Sequence, residues 1–171
     1  MGHHPKAQIE EAREAVRVVD PDTYFYGEGW NFGEVADGAL FEQASQLNLA
    51  GTEIGSFNDR LRDAVRDAYL FVENGSLQQQ DFIRVGLAGG LADYVLKDST
   101  GTAVTASGLS WNGQPAGYAG DPADIINYVS KHDNETLWDK LQYGLPAETT
   151  RQDRVRVQNV AATIPLMSQG V

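Results

Sequence analysis

The sequence predicts an α/β protein in which short parallel strands alternate with helices. Segments with apolar residues at helical spacing alternate with short runs of β-branched and aromatic residues. Only about three such runs are present, and a closed (β/α)8 barrel needs about 250 residues, whereas the chain has 171. We therefore expect residues 1–171 to be a single segment of a partial (β/α)8 barrel, truncated at both ends.

The first half of the chain contains two helices and two strands in this interpretation. Residues 5–18 predict a helix, because proline suits a first turn and apolar residues recur at helical spacing. Residues 23–26 follow a turn and predict a strand, and residues 54–58 predict a weaker one. Either Asn58 or Asp59 is expected to cap the next helix.

The second half continues the alternation. Residues 78–96 predict a helix that contains three glycines, and the Gly/Ser/Asn-rich residues 97–122 predict a long loop. Residues 125–130 form a compact apolar run that predicts a buried strand. Thr150 is expected to cap the final helix.

Composition excludes several classes of function. The chain has 13 basic and 24 acidic residues and a formal charge of -11. Such a field repels phosphate backbones and anionic lipid surfaces, so neither nucleic acid nor a membrane is expected as partner. Membrane insertion is also not expected, because no run reaches the roughly 18 to 20 apolar residues of a spanning helix. The chain has no cysteine, which excludes thiolate chemistry.

Glu28 is the first candidate for chemistry, because it directly follows a predicted strand. Catalytic groups of parallel α/β folds lie past the carboxyl ends of strands. Glycines on either side would allow close approach of a ligand, and Tyr26 and Trp30 would supply apolar walls and a face for sugar stacking. The alternative is a solvated glutamate in a turn.

The second candidate is the polar group His132-Asp133-Asn134, which follows the predicted strand 125–130. A turn followed by a helix cap is the alternative for these residues. A hydrolase triad of Ser130, His132 and Asp133 is excluded, because adjacent strand residues point to opposite faces. His3 and His4 have no accompanying ligand cluster, so we expect no metal site.

Several motifs resemble the pullulanases and limit dextrinases, debranching enzymes of the α-amylase superfamily (glycoside hydrolase family 13). YFYGEGW at residues 24–30 resembles the segment around their general acid, and NYVSKHDN at residues 127–134 resembles a later motif. MGHHPK at residues 1–6 is similar to the end of their nucleophile motif. FNDRLRD at residues 57–63 and LSWNGQP at residues 109–115 fit the same subgroup, so the resemblance covers nearly the whole chain.

The resemblance implies roles for five matching positions. Glu28 would be the catalytic acid that protonates the leaving glycosidic oxygen and later activates water. Asp133 would be the second catalytic residue and would stabilise the transition state. His132 and His3 would bind hydroxyls of the sugar that is cleaved, and Trp30 would stack on a sugar.

The resemblance also implies what this segment lacks. It corresponds to about strands 5 to 7 of the barrel, and the nucleophilic aspartate is expected two residues before Met1. The segment alone is therefore expected to be inactive. Asn31 departs from the family pattern, which commonly has aspartate after GEGW.

The expected function is the hydrolysis of α-1,6-glucosidic linkages in pullulan, amylopectin and limit dextrins by a retaining mechanism. The partner would be an α-glucan polysaccharide. No cofactor is expected, although some relatives use calcium, and oligomeric state stays open. Relatives that act on polymeric glucan indicate an extracellular or cell-surface location. The alternatives are an α-1,4-acting member of the superfamily or a non-catalytic α-glucan-binding protein.

Overall fold

The computed structural model describes residues 1–67, 71, 75–131 and 133–171. Five α-helices lie in these ranges: α1 (Lys6–Arg17), α2 (Asp59–Arg66), α3 (Leu77–Leu87), α4 (Leu137–Gly144) and α5 (Arg151–Leu166). The same ranges contain seven short strands: β1 (Tyr26–Gly27), β2 (Gly55–Phe57), β3 (Val95–Lys97), β4 (Ala103–Thr105), β5 (Ser110–Trp111), β6 (Gln114–Pro115) and β7 (Ile125–Ile126). Short 3-10 helices cover Gly33–Gly38, Ala106–Gly108 and Pro122–Asp124.

A parallel sheet of order β1-β2-β7 carries the two candidate sites. Tyr26 pairs with Gly55, and Ser56 pairs with Ile125. At the far edge, Val171 donates to the Ile125 carbonyl at 3.4 Å, and its own carbonyl accepts from the Asn127 amide at 3.1 Å. Because the strands follow one another in chain order and run parallel, the predicted α/β class is confirmed. The described strands do not close into a barrel, and the part-barrel assignment stays a prediction.

The helix predictions hold where a polar cap marks the first turn. Asn58 rather than Asp59 caps α2, and its side chain accepts from the Leu61 amide at 3.4 Å. The hydroxyl of Thr150 accepts from the Asp153 amide at 3.1 Å at the start of α5, as predicted. Both contacts satisfy amides that have no partner inside the helix.

The predictions for residues 78–96 and 97–122 are wrong in part. Helix α3 ends at Leu87, because Gly89 and Gly90 adopt φ values of 74° and 63°, which lie outside the helical region. Beyond this turn lie two antiparallel hairpins: β3–β4, which begins within the predicted helix, and β5–β6, which lies within the predicted loop. The predicted strands 23–26 and 125–130 are also shorter than expected, since only Tyr26–Gly27 and Ile125–Ile126 pair.

The main hydrophobic core lies between the helices and beside the sheet. Side chains of α2, α3, α4 and α5 meet in one cluster, represented by Leu61, Phe82, Leu141 and Ala161. A second cluster of Ala44, Leu49 and Ile54 contacts α1 through Ile9. Helices α2 to α5 therefore share one core, whereas α1 has no buried residue and contacts the second cluster only through the partly buried Ile9.

Asp124 fixes the entry to β7. Its carboxylate is 1% exposed and accepts four backbone hydrogen bonds of 2.7–2.9 Å. The donors are the amides of Gly51, Glu53, Gly120 and Asp121. Glu53 and Gly51 have φ values of 57° and 80°, so the carboxylate holds a turn in an unusual conformation immediately before β2.

Replacing Asp124 by asparagine is expected to lower the free energy of unfolding by about 2 to 3 kcal/mol, because an amide nitrogen would face backbone donors and the charge-assisted bonds would be lost. Urea denaturation followed by circular dichroism would measure the change. Asp93→Asn is the matched control, since Asp93 is exposed. Equal stabilities of the two variants would contradict the role of Asp124.

Candidate active site

Glu28 and Asp133 are brought together through Lys131. Glu28 directly follows β1, and the segment that contains Lys131 and Asp133 follows β7, so both leave the sheet at its carboxyl edge. The Lys131 ammonium forms an ion pair with Glu28 Oε1 and lies 3.7 Å from Asp133 Oδ2. The side chain of Lys131 is 15% exposed, so this is a half-enclosed contact rather than a surface ion pair. The arrangement holds two carboxylates beside one cation.

His3 and Trp30 lie on the other side of Glu28. The Gly2 amide donates to the Glu28 carbonyl at 2.8 Å, which sets residues 1–4 alongside residues 28–30. His3, Glu28, Trp30 and Phe32 line one cleft of about 200 Å³. The His3 ring contacts Phe32 with a centroid distance of 4.5 Å. An imidazole, a carboxylate and an indole thus face a shared space.

Gly29 permits a close approach, but the partner is the chain itself rather than a ligand. A Cβ atom at Gly29 would lie 2.8 Å from the Gln46 amide nitrogen. That amide donates to the Gly29 carbonyl at 2.9 Å. The glycine after Glu28 therefore joins the site to the following loop and fixes the direction in which Glu28 leaves β1.

An aromatic group supports the Lys131 side chain. The ammonium lies 4.1 Å from the centroid of Phe57, which packs edge-on against Tyr128 at 5.2 Å and Tyr26 at 6.1 Å. Burial raises the pKa of Tyr128 to about 12, and its hydroxyl accepts from the Arg62 guanidinium at 2.8 Å. The Lys131 ammonium therefore makes a cation–π contact with Phe57, and the neighbouring Tyr128 is a neutral phenol.

Asn31, the departure from the family pattern, has a structural partner. Its side-chain amide donates to Asp37 Oδ1 and accepts from the Asp37 backbone amide, both at 2.8 Å. Asp37 has a φ of 56°, so the contact holds a left-handed turn. An ionised aspartate could accept from the backbone but could not donate to the Asp37 carboxylate.

The structure thus places His3, Glu28 and Trp30 in one cleft and brings Asp133 to Glu28 through Lys131. His132 lies outside the described residues. Lys131 belongs to the KHDN motif, but the resemblance assigns it no role. Its position after a predicted strand and two residues before a candidate carboxylate was the available signal.

Among the described residues, the structure shows neither a metal-binding cluster nor a membrane-spanning helix. No group of three or more His, Asp or Glu side chains there could hold a metal ion. In the same part of the chain, no helix has the length and apolar character needed to cross a bilayer.

The chain matches individual proteins and solved structures along nearly its whole length. No protein-family model matches it. Pullulanase from Klebsiella aerogenes is 42% identical over 197 residues, covering 100% of this chain and 18% of that protein. Chloroplastic pullulanase 1 of Arabidopsis thaliana is 37% identical over 206 residues, covering 100% of this chain and 21% of its own length. The maltotriose complex of PulA from Klebsiella pneumoniae superposes with a TM-score of 0.91 at 42% identity, covering 99% of this chain and 21% of that one.

These relatives are pullulanases, which are glycoside hydrolases. The chain belongs to the pullulanase family, of which it represents a segment, and the resemblance stated from its motifs is confirmed. It spans about a fifth of the length of the pullulanases that it matches.

Proposed function

We propose that residues 1–171 form part of the catalytic (β/α)8 barrel of an enzyme that hydrolyses α-1,6-glucosidic linkages in α-glucans. The observation that carries this proposal is the arrangement of Glu28, His3 and Trp30 in one cleft with Asp133 nearby. The identity to pullulanases supports debranching of starch-like polymers in general. The parallel order β1-β2-β7 supports three successive strands of such a barrel, which the resemblance assigns as about strands 5 to 7.

Each residue that the resemblance singles out has a chemical task in this proposal. Glu28 protonates the leaving glycosidic oxygen and afterwards removes a proton from the attacking water. Asp133 stabilises positive charge on the oxocarbenium-like transition state. His3 and His132 bind sugar hydroxyls, and Trp30 offers an indole face to a sugar ring.

Lys131 orients the acid in the resting site. Its ammonium contacts the Glu28 carboxylate and lies over the rings of Phe57 and Tyr128, which limits the directions that Glu28 can take. Catalytic groups must be held close to one geometry to be effective. We therefore assign Lys131 as a positioning residue.

A neutral glucan fits the charge of the chain. The net charge of -11 disfavours anionic substrates but does not repel a neutral polymer.

A retaining glycosidase needs a nucleophilic carboxylate about 5 to 5.5 Å from the acid, and the resemblance assigns none within residues 1–171. We accordingly expect the chain alone to release no reducing sugar.

The test uses a chimera in which residues 1–171 replace the segment that they match in Klebsiella aerogenes pullulanase. Pullulan is the substrate, and reducing sugar and product size are measured. Release of maltotriose is the expected result and corresponds to α-1,6 cleavage. Panose or isopanose would instead indicate α-1,4 cleavage. Glucan binding without hydrolysis would favour a non-catalytic binding protein and would overturn the proposal.

A further inference from the structure

We infer that a second cleft, between Trp30 and Trp111, binds a glucosyl ring of the same glucan beyond the Glu28 cleft. The inference rests on the proposed function and extends it to a motif, LSWNGQP, to which no role has been given. This cleft has a volume of about 210 Å³. That is smaller than the roughly 300 to 1,000 Å³ of sites for drug-sized ligands, so it suits a single ring.

The hairpin β5–β6 presents one wall of the cleft. Asn112 and Gly113 form its two-residue turn with φ values of 49° and 81°, as a tight hairpin of this kind requires. Trp111 and Gln114 flank the turn and both line the cleft. The Asn-Gly pair therefore places an indole and an amide at one defined position.

Arg60 holds three of the wall residues from behind. Its guanidinium lies 4.8 Å from the Trp111 ring centroid and donates to Gln46 Oε1 at 2.7 Å and to Gln114 Oε1 at 2.9 Å. Arg60 itself is 1% exposed. The walls are thus fixed by a buried cation before any ligand arrives, which lowers the entropic cost of binding.

The chemistry of the walls fits a neutral sugar. Indoles supply apolar faces for stacking, while the carboxylate of Asp59 and the hydroxyl of Ser45 can accept hydrogen bonds from sugar hydroxyls. The base of a nucleotide would also stack on indoles, but the negative charge of the chain would repel the nucleotide's phosphates. The combination of aromatic and neutral or acidic polar groups therefore points to a saccharide.

The position of the cleft fits an extended glucan. Trp30 lines both this cleft and the one that contains Glu28, so the two are adjacent. On its other side the cleft continues into a space of about 520 Å³, with which it shares Asn31, Ser45 and Leu47. A chain that passes over Trp30 would reach Trp111 next.

The first measurement is a titration of the 171-residue chain with maltohexaose, followed by the indole N–H resonances of its three tryptophans. We expect the signals of Trp30 and Trp111 to shift. The signal of Trp138, which lies in α4 and outside both clefts, should stay unchanged. Shifts of Trp30 alone, or of none, would overturn the inference.

The second measurement blocks the cleft without touching the core. Leu47 is 40% exposed and lines the cleft, so Leu47→Lys would place a long, hydrated side chain without a stacking face in it, and we expect about threefold to tenfold weaker binding of maltohexaose. Leu40→Lys is the control, because Leu40 is 68% exposed and outside the cleft. Unchanged binding by Leu47→Lys would overturn the inference. Hydrolysis of pullulan by the chimera is a separate measurement, so the proposed function can fail or stand independently of this result.

Discussion

Replacing Glu28 by glutamine in the chimera is expected to lower kcat on pullulan by about 10²- to 10⁴-fold, the usual contribution of a general acid. Glutamine keeps the size of the side chain and can still occupy the cleft beside His3 and Trp30. It cannot donate a proton to the leaving oxygen. KM should change much less than kcat, because the lost interaction belongs to the transition state.

A substrate with a different leaving group makes the test specific. A maltotriosyl fluoride needs no protonation when fluoride departs, so kcat/KM of the Glu28→Gln variant, which reports the step that forms the glycosyl-enzyme, should fall far less on this substrate than on pullulan. Glu34→Gln is the matched control, since Glu34 is an exposed carboxylate six residues further along. Equal losses on both substrates would indicate that glutamine disturbs the site in another way and would contradict the assignment of Glu28 as the acid.

The helices were predictable where local chemistry determines them. Asn58 and Thr150 cap α2 and α5 through contacts with amides three residues away, which any chain carrying those residues can form. The end of α3 was also present in the sequence. Gly89 and Gly90 adopt left-handed backbone conformations, whereas the prediction continued the helix through them to residue 96.

The hairpins and strand ends depended on contacts that sequence patterns do not show. Asn112-Gly113 is a strong signal for a two-residue turn, but its flanking strands have only two residues each, too few for visible alternation. At β7 the pairing ends at Ile126, although the apolar run continues to Val129. The next side chain, Asn127, instead donates to the carbonyls of Gly86 and Gln169, which are distant in sequence.

The site was predictable as a set of motifs but not as a geometry. GEGW and KHDN made Glu28 and Asp133 the candidates, and the parallel sheet explains why they leave the same edge. The contact between Lys131 and Glu28 joins residues 103 positions apart and depends on the order β1-β2-β7. The sequence offers no local pattern that sets this order.

The burial of Arg60 could not be predicted from the sequence. At the start of a helix an arginine is ordinarily exposed, and here the side chain is 1% exposed. It forms an ion pair with Asp59 at 2.8 Å and donates to the Pro115 carbonyl at 3.3 Å, in addition to its bonds to Gln46 and Gln114. Its guanidinium also lies 4.5 Å from the Tyr118 ring centroid.

Replacing Arg60 by methionine is therefore expected to lower the free energy of unfolding by about 3 to 5 kcal/mol, the usual result when one partner of a buried charge network is removed. Methionine would approximately fill the volume but would leave the half-buried Asp59 without its cation. Urea denaturation of the chain, followed by circular dichroism, would measure the loss. Arg151→Met at an exposed position is the control.

Lysine at position 60 distinguishes charge from geometry. If positive charge alone were needed, Arg60→Lys would restore most of the stability that methionine loses. The guanidinium instead reaches Gln46 and Gln114 with different nitrogens and lies near two aromatic rings, and an ammonium cannot copy this planar arrangement. We expect lysine to recover less than half of the loss. A fully stable lysine variant would show that the network acts through charge and would remove the reason for regarding the Trp111 wall as fixed by Arg60.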